Sequence, residues 1–165
     1  MDHKLTCILL FSTELRKGLV MPTYMCFAHR GRLSDGQRAE VAAGISRIHG
    51  EATGAPVSFV QCVFQEFSSG GHFIGGQPAA EGGIWVYGHI RGGRTAEVKN
   101  RLVTEIRDHL ARVAGVEESL IWVYLNELIH TDMVEFGRVL PEQGAEQDWV
   151  DGLPPDLRSQ LIALG

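Results

Sequence analysis

Arg91 and Arg94 stand on either side of Gly92 and Gly93, just ahead of a stretch with helical spacing. Forked guanidinium donors at a helix N-terminus suit a carboxylate, because they match its two oxygens and the helix dipole favours an anion there. The ordinary alternative is a solvated loop. His49 lies on an apolar helical stripe one turn after Ile45, where an imidazole is either a packed, hydrogen-bonded core residue or a ligand diverted from packing. Tyr124 interrupts the apolar run from Ile121 to Leu125, and a buried phenol needs a hydrogen-bond partner unless its hydroxyl reaches the rim. Glu135 is flanked by apolar residues in Met133-Val134-Glu135-Phe136-Gly137; most such acids are surface residues, so it gains meaning only from its neighbours.

These residues are placed by a duplication. Shifting the chain by 61 residues aligns Pro22 to Phe67 with Gly83 to Leu128 without a gap. Arg30/Arg91, Gly31/Gly92, Ile45/Ile106, Gly54/Gly115, Ser58/Ser119 and Glu66/Glu127 are identical pairs, and Ser34/Thr95 and Arg38/Lys99 are conservative ones. Each half opens on a β-rich run, Thr23 to Ala28 or Ile84 to Ile90, and continues into a helical pattern headed by Ser34 or Thr95. Ser34 with Gln37 fits a capping box, and Gly54 and Gly115 suit helix ends. Strands follow from Ser58 to Phe67 and from Leu120 to Leu128. The expected fold is α/β (α+β): two β-α-β units, 22–67 and 83–128, forming a four-stranded sheet with two helices on one face. The bare face of such a sheet needs cover, which favours a homo-oligomer. Within this frame His49 pairs with Leu110, Tyr124 with Val63 and Arg94 with Leu33, so each is a titratable group where the twin half is apolar.

The first 21 residues have no counterpart later in the chain. Their short apolar stretch, Ile8 to Phe11, is followed by Glu14, Arg16 and Lys17, which argues against a secretory signal. Lys17 and Gly18 can be encoded by a purine-rich ribosome-binding signal, so Met21 reads as the start, with 1–21 absent from the mature protein. Trimming of Met21 before the small residue Pro22 would leave Pro22 with a free secondary amine. The remainder divides into a domain at 22–153 and a tail at 154–165; the segment after Pro141 reads as an arm that can reach a neighbouring copy. The segments Glu51 to Ser58 and Ser68 to Gly76 are expected to shape a pocket.

A length of 165 residues with 44% hydrophobic and 21% charged residues suits one globular unit. A net charge of −5 argues against nucleic-acid and anionic-membrane partners, which need a basic face. The three cysteines are an odd number without CxxC spacing, pointing to a reduced, cytoplasmic setting, and the seven histidines show no zinc-ligand spacing.

The stretches Pro22-Thr23-Tyr24-Met25, His89-Ile90-Arg91-Gly92-Gly93-Arg94, Ile121-Trp122-Val123-Tyr124 and Met133-Val134-Glu135-Phe136-Gly137-Arg138 together resemble, in order and spacing, the motifs of the tautomerase superfamily. Within it the resemblance is to the cis-3-chloroacrylic acid dehalogenase family, and it runs from Pro22 to about Leu153. It implies a homotrimer of fused β-α-β pairs working without cofactor. It further implies a catalytic amino-terminal proline at Pro22, substrate-binding His49, Arg91 and Arg94, and a water-activating pair Tyr124 and Glu135. The activity it implies is hydrolytic dehalogenation or hydration of a small unsaturated carboxylate. Keto-enol tautomerisation of a 2-keto acid is the alternative among enzymes, and a noncatalytic carboxylate-binding trimer is the alternative if Pro22 lies inside a peptide bond.

Overall fold

The computed structural model describes residues 22–163 apart from Ala80 and Gln143. The expected extension at 1–21 and the start at Met21 lie outside the described residues. Strand β1 (Thr23–His29) leads into helix α1 (Asp35–Thr53), and strand β2 (Gln61–Phe67) returns parallel to β1. A two-residue hairpin follows, β3 (Phe73–Ile74) with β4 (Gln77–Pro78). The second half repeats the scheme: β5 (Ile84–Arg91), α2 (Ala96–Ala114), β6 (Ile121–Leu128) parallel to β5, then the hairpin of β7 (Val134–Glu135) and β8 (Arg138–Val139). The main sheet has the order β2-β1-β5-β6, with the two halves joined antiparallel through β1 and β5.

Local chemistry explains the element ends. The Ser34 side chain accepts from the Gln37 amide while Gln37 reaches back to the Ser34 backbone, so the predicted capping box is present. Gly54 and Gly115 close the two long helices in the left-handed conformation, φ 76° and 61°, which glycine adopts without a Cβ clash. A 3-10 turn, Val57–Phe59 or Glu118–Leu120, precedes β2 and β6, so both strands begin a little later than the sequence suggests. The identity of Glu66 and Glu127 in the two halves has a structural reason: Arg38 bonds Glu66 at 2.6 Å and Lys99 bonds Glu127 at 2.7 Å, tying each helix to its second strand.

One face of the sheet is the core. Tyr24, Cys26, Ile84, Val86 and Ile90 meet Val41, Ile45, Leu102, Ile106 and Leu110 from the helices, all fully or nearly fully buried. Gly44 of α1 lies against the His109 imidazole of α2, which a Cβ there would overlap. The opposite face carries Val63, Trp85, Trp122 and Tyr124, which remain exposed. Burial pushes the Cys26 and Cys62 thiols up to about 12 and about 11, away from thiolate reactivity.

The C-terminal segment forms a second small core on its own chain. Helices α3 (Glu146–Asp151) and α4 (Pro155–Ala163) place Trp149, Val150 and Leu161 against Phe59, Leu140 and Leu153. The segment expected as an arm thus packs these apolar side chains within its own chain.

Candidate active site

The topology gathers several of the singled-out residues at one end of the sheet. Pro22 precedes β1 and is fully buried, and its carbonyl accepts from the Gln61 amide at 2.9 Å. Thr23 pairs with His89 across the antiparallel β1–β5 ladder, so Pro22 sits level with the Ile90–Arg91 end of β5. Helix α1 runs back against β1 and delivers His49, in its last turns, to the same end.

His49 is 2% exposed and shares a 2.8 Å hydrogen bond between its Nδ1 and the Tyr24 hydroxyl. Burial, joined by the nearby Arg94 cation, pushes its pKa down to about 4, and burial raises that of Tyr24. Tyr24 therefore keeps its proton and shares its hydrogen bond with Nδ1 of a neutral imidazole. Gly88 makes room for this arrangement: a Cβ there would stand 2.6 Å from the Tyr24 ring and 2.7 Å from Leu125.

This burial has a pH signature. The unfolded chain takes up the His49 proton near pH 6.5 while the folded chain resists until about 4, so stability is complete above the first value and lost toward the second. His109, buried between the helices, shifts in the same direction. Calorimetry between pH 7 and 4 is expected to show a decline of roughly 3 kcal/mol attributable to His49. His49→Gln should flatten that slope.

The two arginines behave differently. Arg91 is 8% exposed and donates to the Glu146 carboxylate at 2.8 Å and to the Pro141 carbonyl at 2.7 Å. Arg94 is half-buried, and its Nε is enclosed without a hydrogen-bond partner. Its pKa is lowered by burial first and then by Arg91, while the Glu127, Glu146 and Tyr24 charges oppose that shift. Of the two arginines expected as a clamp, Arg91 is anchored and Arg94 has donor capacity in hand.

Beside this end lies an open cavity of about 530 Å³ lined by Thr23, Gln61, His89, Leu128, Asp132, Met133, Val134, Glu135 and Phe136. Glu135 reaches it from the β7–β8 hairpin, whose turn is Phe136 and Gly137. Phe136 holds φ 52°, a conformation costly for a bulky residue, and its ring is anchored 6.4 Å from that of Trp149. The strained turn thereby aims Glu135 at the cavity. The segments Glu51 to Ser58 and Ser68 to Gly76, expected as pocket walls, contribute none of this lining.

Tyr124 is not brought to these residues. It lies 47% exposed on the bare sheet face, with its ring 6.0 Å from that of Trp85, and two strands away from β1.

The sequence model of a family described as "Putative oxalocrotonate tautomerase enzyme" matches residues 21–152. The chain belongs to the tautomerase superfamily. Among solved structures, it is 34% identical to N1, described as a member of the cis-3-chloroacrylic acid dehalogenase (cis-CaaD) family, with a TM-score of 0.79 over 86% of this chain and 99% of that one. Two fused 4-OT structures share the tautomerase fold at 20% identity and a TM-score of 0.66. The asymmetric trimer F6 covers 71% of this chain and 94% of its own, and the symmetric trimer Q0 covers 74% and 98%. No curated protein matches the chain significantly. No helix among the described residues is long and apolar enough to cross a membrane.

Two residues of this candidate site escape sequence reading. Tyr24 shows only as an apolar-face strand position, and its bond to His49 appears once α1 is packed on β1. Glu146 sits in a run of acids with Glu142, Asp148 and Asp151, and nothing local marks it as the partner of an arginine 55 residues earlier.

Proposed function

We propose that the chain is a cofactor-independent hydrolytic dehalogenase or hydratase for small unsaturated carboxylates such as cis-3-chloroacrylate. The observation that carries this reading is the Arg94 guanidinium, with an enclosed and unpartnered Nε, beside a neutral His49 at the Pro22 end of the sheet. Arg94, Arg91 and His49 hold the substrate carboxylate and draw electron density toward it, so the far alkene carbon becomes electrophilic. Glu135 takes a proton from water as the water oxygen bonds to that carbon, and Pro22, as a free secondary amine carrying a proton, protonates the carbon next to the carboxylate. The resulting halohydrin loses chloride and a proton, leaving malonate semialdehyde.

The bare sheet face supports assembly as a homotrimer, since Val63, Trp85, Trp122 and Tyr124 form an apolar surface that one chain leaves uncovered. In such an assembly Tyr124 serves the cavity of a neighbouring copy, which accounts for its distance from Glu135 in its own chain.

Chloride release from cis-3-chloroacrylate tests the reading. Arg94→Gln is expected to lower kcat/KM by roughly 10- to 100-fold, the loss of a hydrogen-bonded charge worth about 1.5–3 kcal/mol. No chloride release by protein shown by mass to begin at Pro22 would move the assignment to a hydratase or to a keto-enol tautomerase, the latter in keeping with the description of the matching family.

A further inference from the structure

The Tyr24 hydroxyl is a buried polar group beside the candidate site that the proposed chemistry leaves unused. Tyr24 is fully buried on β1, and its hydroxyl lies 2.8 Å from Nδ1 of His49, with the two rings edge to face at 5.8 Å and 72°. Among the described residues neither that hydroxyl nor the His49 ring has another hydrogen bond. Both groups are held by their surroundings. The Tyr24 ring lies against Gly88, where a Cβ would stand 2.6 Å from it, and the His49 backbone carbonyl accepts from the Thr53 hydroxyl at 2.8 Å in the last turn of α1. Arg94 is near enough for its charge to act on both groups, but no hydrogen bond from it reaches the ring among the described residues.

A contact of this length can run in two directions. A neutral imidazole has one N–H and one bare nitrogen, and a phenol has one hydrogen to donate. If Nδ1 carried the ring hydrogen and donated to the phenol oxygen, the phenol hydrogen would be buried with no acceptor among the described residues, and its desolvation would go uncompensated. Nε2 would then be bare, and a bare nitrogen repels the oxygens of a carboxylate. If the phenol donates to a bare Nδ1, the hydroxyl is satisfied and the ring hydrogen stands on Nε2, the nitrogen left for a ligand. Burial keeps the phenol protonated and the imidazole uncharged at neutral pH, so no charged state competes with these two.

We infer that Tyr24 is a positioning residue: its hydroxyl donates to Nδ1, fixes the His49 hydrogen on Nε2, and so makes that nitrogen a donor for the substrate carboxylate. The inference rests on the reading of His49 as a carboxylate-binding residue. A phenol that merely filled the core could be replaced by phenylalanine without changing where the imidazole hydrogen sits.

The test is NMR of the full chain labelled with nitrogen-15 at histidine, near neutral pH, with the His49 signals identified by their loss in His49→Gln. In the unmodified protein Nε2 is expected to resonate as an N–H nitrogen and Nδ1 as a bare, hydrogen-bonded one. Tyr24→Phe keeps the ring and removes the hydroxyl, and it should move the two resonances toward each other as the tautomers mix. Titration with 3-chloropropionate, a saturated carboxylate that cannot add water, should displace the Nε2 signal of the unmodified protein. Its Kd should rise about three- to tenfold in Tyr24→Phe, the weight of one neutral hydrogen bond. An Nδ1–H pattern in the unmodified protein overturns the inference without any variant. Unchanged His49 resonances or an unchanged Kd in Tyr24→Phe, with circular dichroism showing a folded chain, overturn it as well. Chloride release from cis-3-chloroacrylate by the unmodified protein can survive either result, so failure of the inference and failure of the proposed function are told apart. An Nε2–H pattern with no response to 3-chloropropionate removes the carboxylate role of His49 and the inference with it.

Discussion

Protein beginning at Pro22 is expected to release chloride from cis-3-chloroacrylate at least a hundredfold faster than protein that retains the residues before it. The lone pair of an amide nitrogen is delocalised into the carbonyl, so a Pro22 within a peptide bond can neither hold nor deliver a proton near neutrality. A positioned acid contributes about 10²–10⁴ to a rate, and that whole factor is at stake. The proline is held in place: its carbonyl is tied to the Gln61 amide, and its ring leaves little backbone freedom at the strand entry. Chloride release would be read beside intact mass, with Pro22→Ala in the trimmed protein as control. Equal turnover with and without the preceding residues would take Pro22 out of the chemistry and leave the proton transfer to another group.

The duplication made the fold legible. Two copies of one pattern, with a capping box in the first and left-handed glycines closing both helices, specify strand, helix and strand twice over, while the strand order and the antiparallel junction of β1 with β5 come only with the structure. Comparing the halves also located His49, because its twin Leu110 is core and the imidazole is buried too. The same comparison misplaces Tyr124. Its twin Val63 is apolar but 39% exposed on the bare face, so an apolar position there signals an uncovered surface rather than a core. The alternation Ile121 buried, Trp122 exposed, Val123 half-buried, Tyr124 exposed carries that information in its period of two. Tyr24 and Glu146 were illegible for a different reason. Their partners, His49 and Arg91, lie 25 and 55 residues away, and only the packing of α1 on β1 and of α3 against the end of β5 brings them within bonding distance.

Glu135→Gln is expected to lower kcat about 10²–10⁴-fold with little change in KM, because the carboxylate acts on water rather than on the substrate carboxylate. The folded state should lose less than about 0.5 kcal/mol, since Glu135 belongs to a short hairpin outside the main core and Gln has the same shape. Stopped-time chloride assays and a thermal melt separate the two effects. The hairpin gives this carboxylate its position: left-handed Phe136 turns the chain, and burial of its ring near Trp149 offsets the strain, so the acid is held at the cavity by the C-terminal core. Phe136→Gly would relieve that strain while removing the anchor, and it should lower kcat without touching any charged group. Retained activity in Glu135→Gln would instead point to Asp132, which lines the same wall and is the nearest other carboxylate in the cavity lining by sequence. The C-terminal segment would then still hold both the Arg91 end of the sheet and the Glu135 hairpin: Glu146 fixes Arg91 on one side and Trp149 steadies Phe136 on the other.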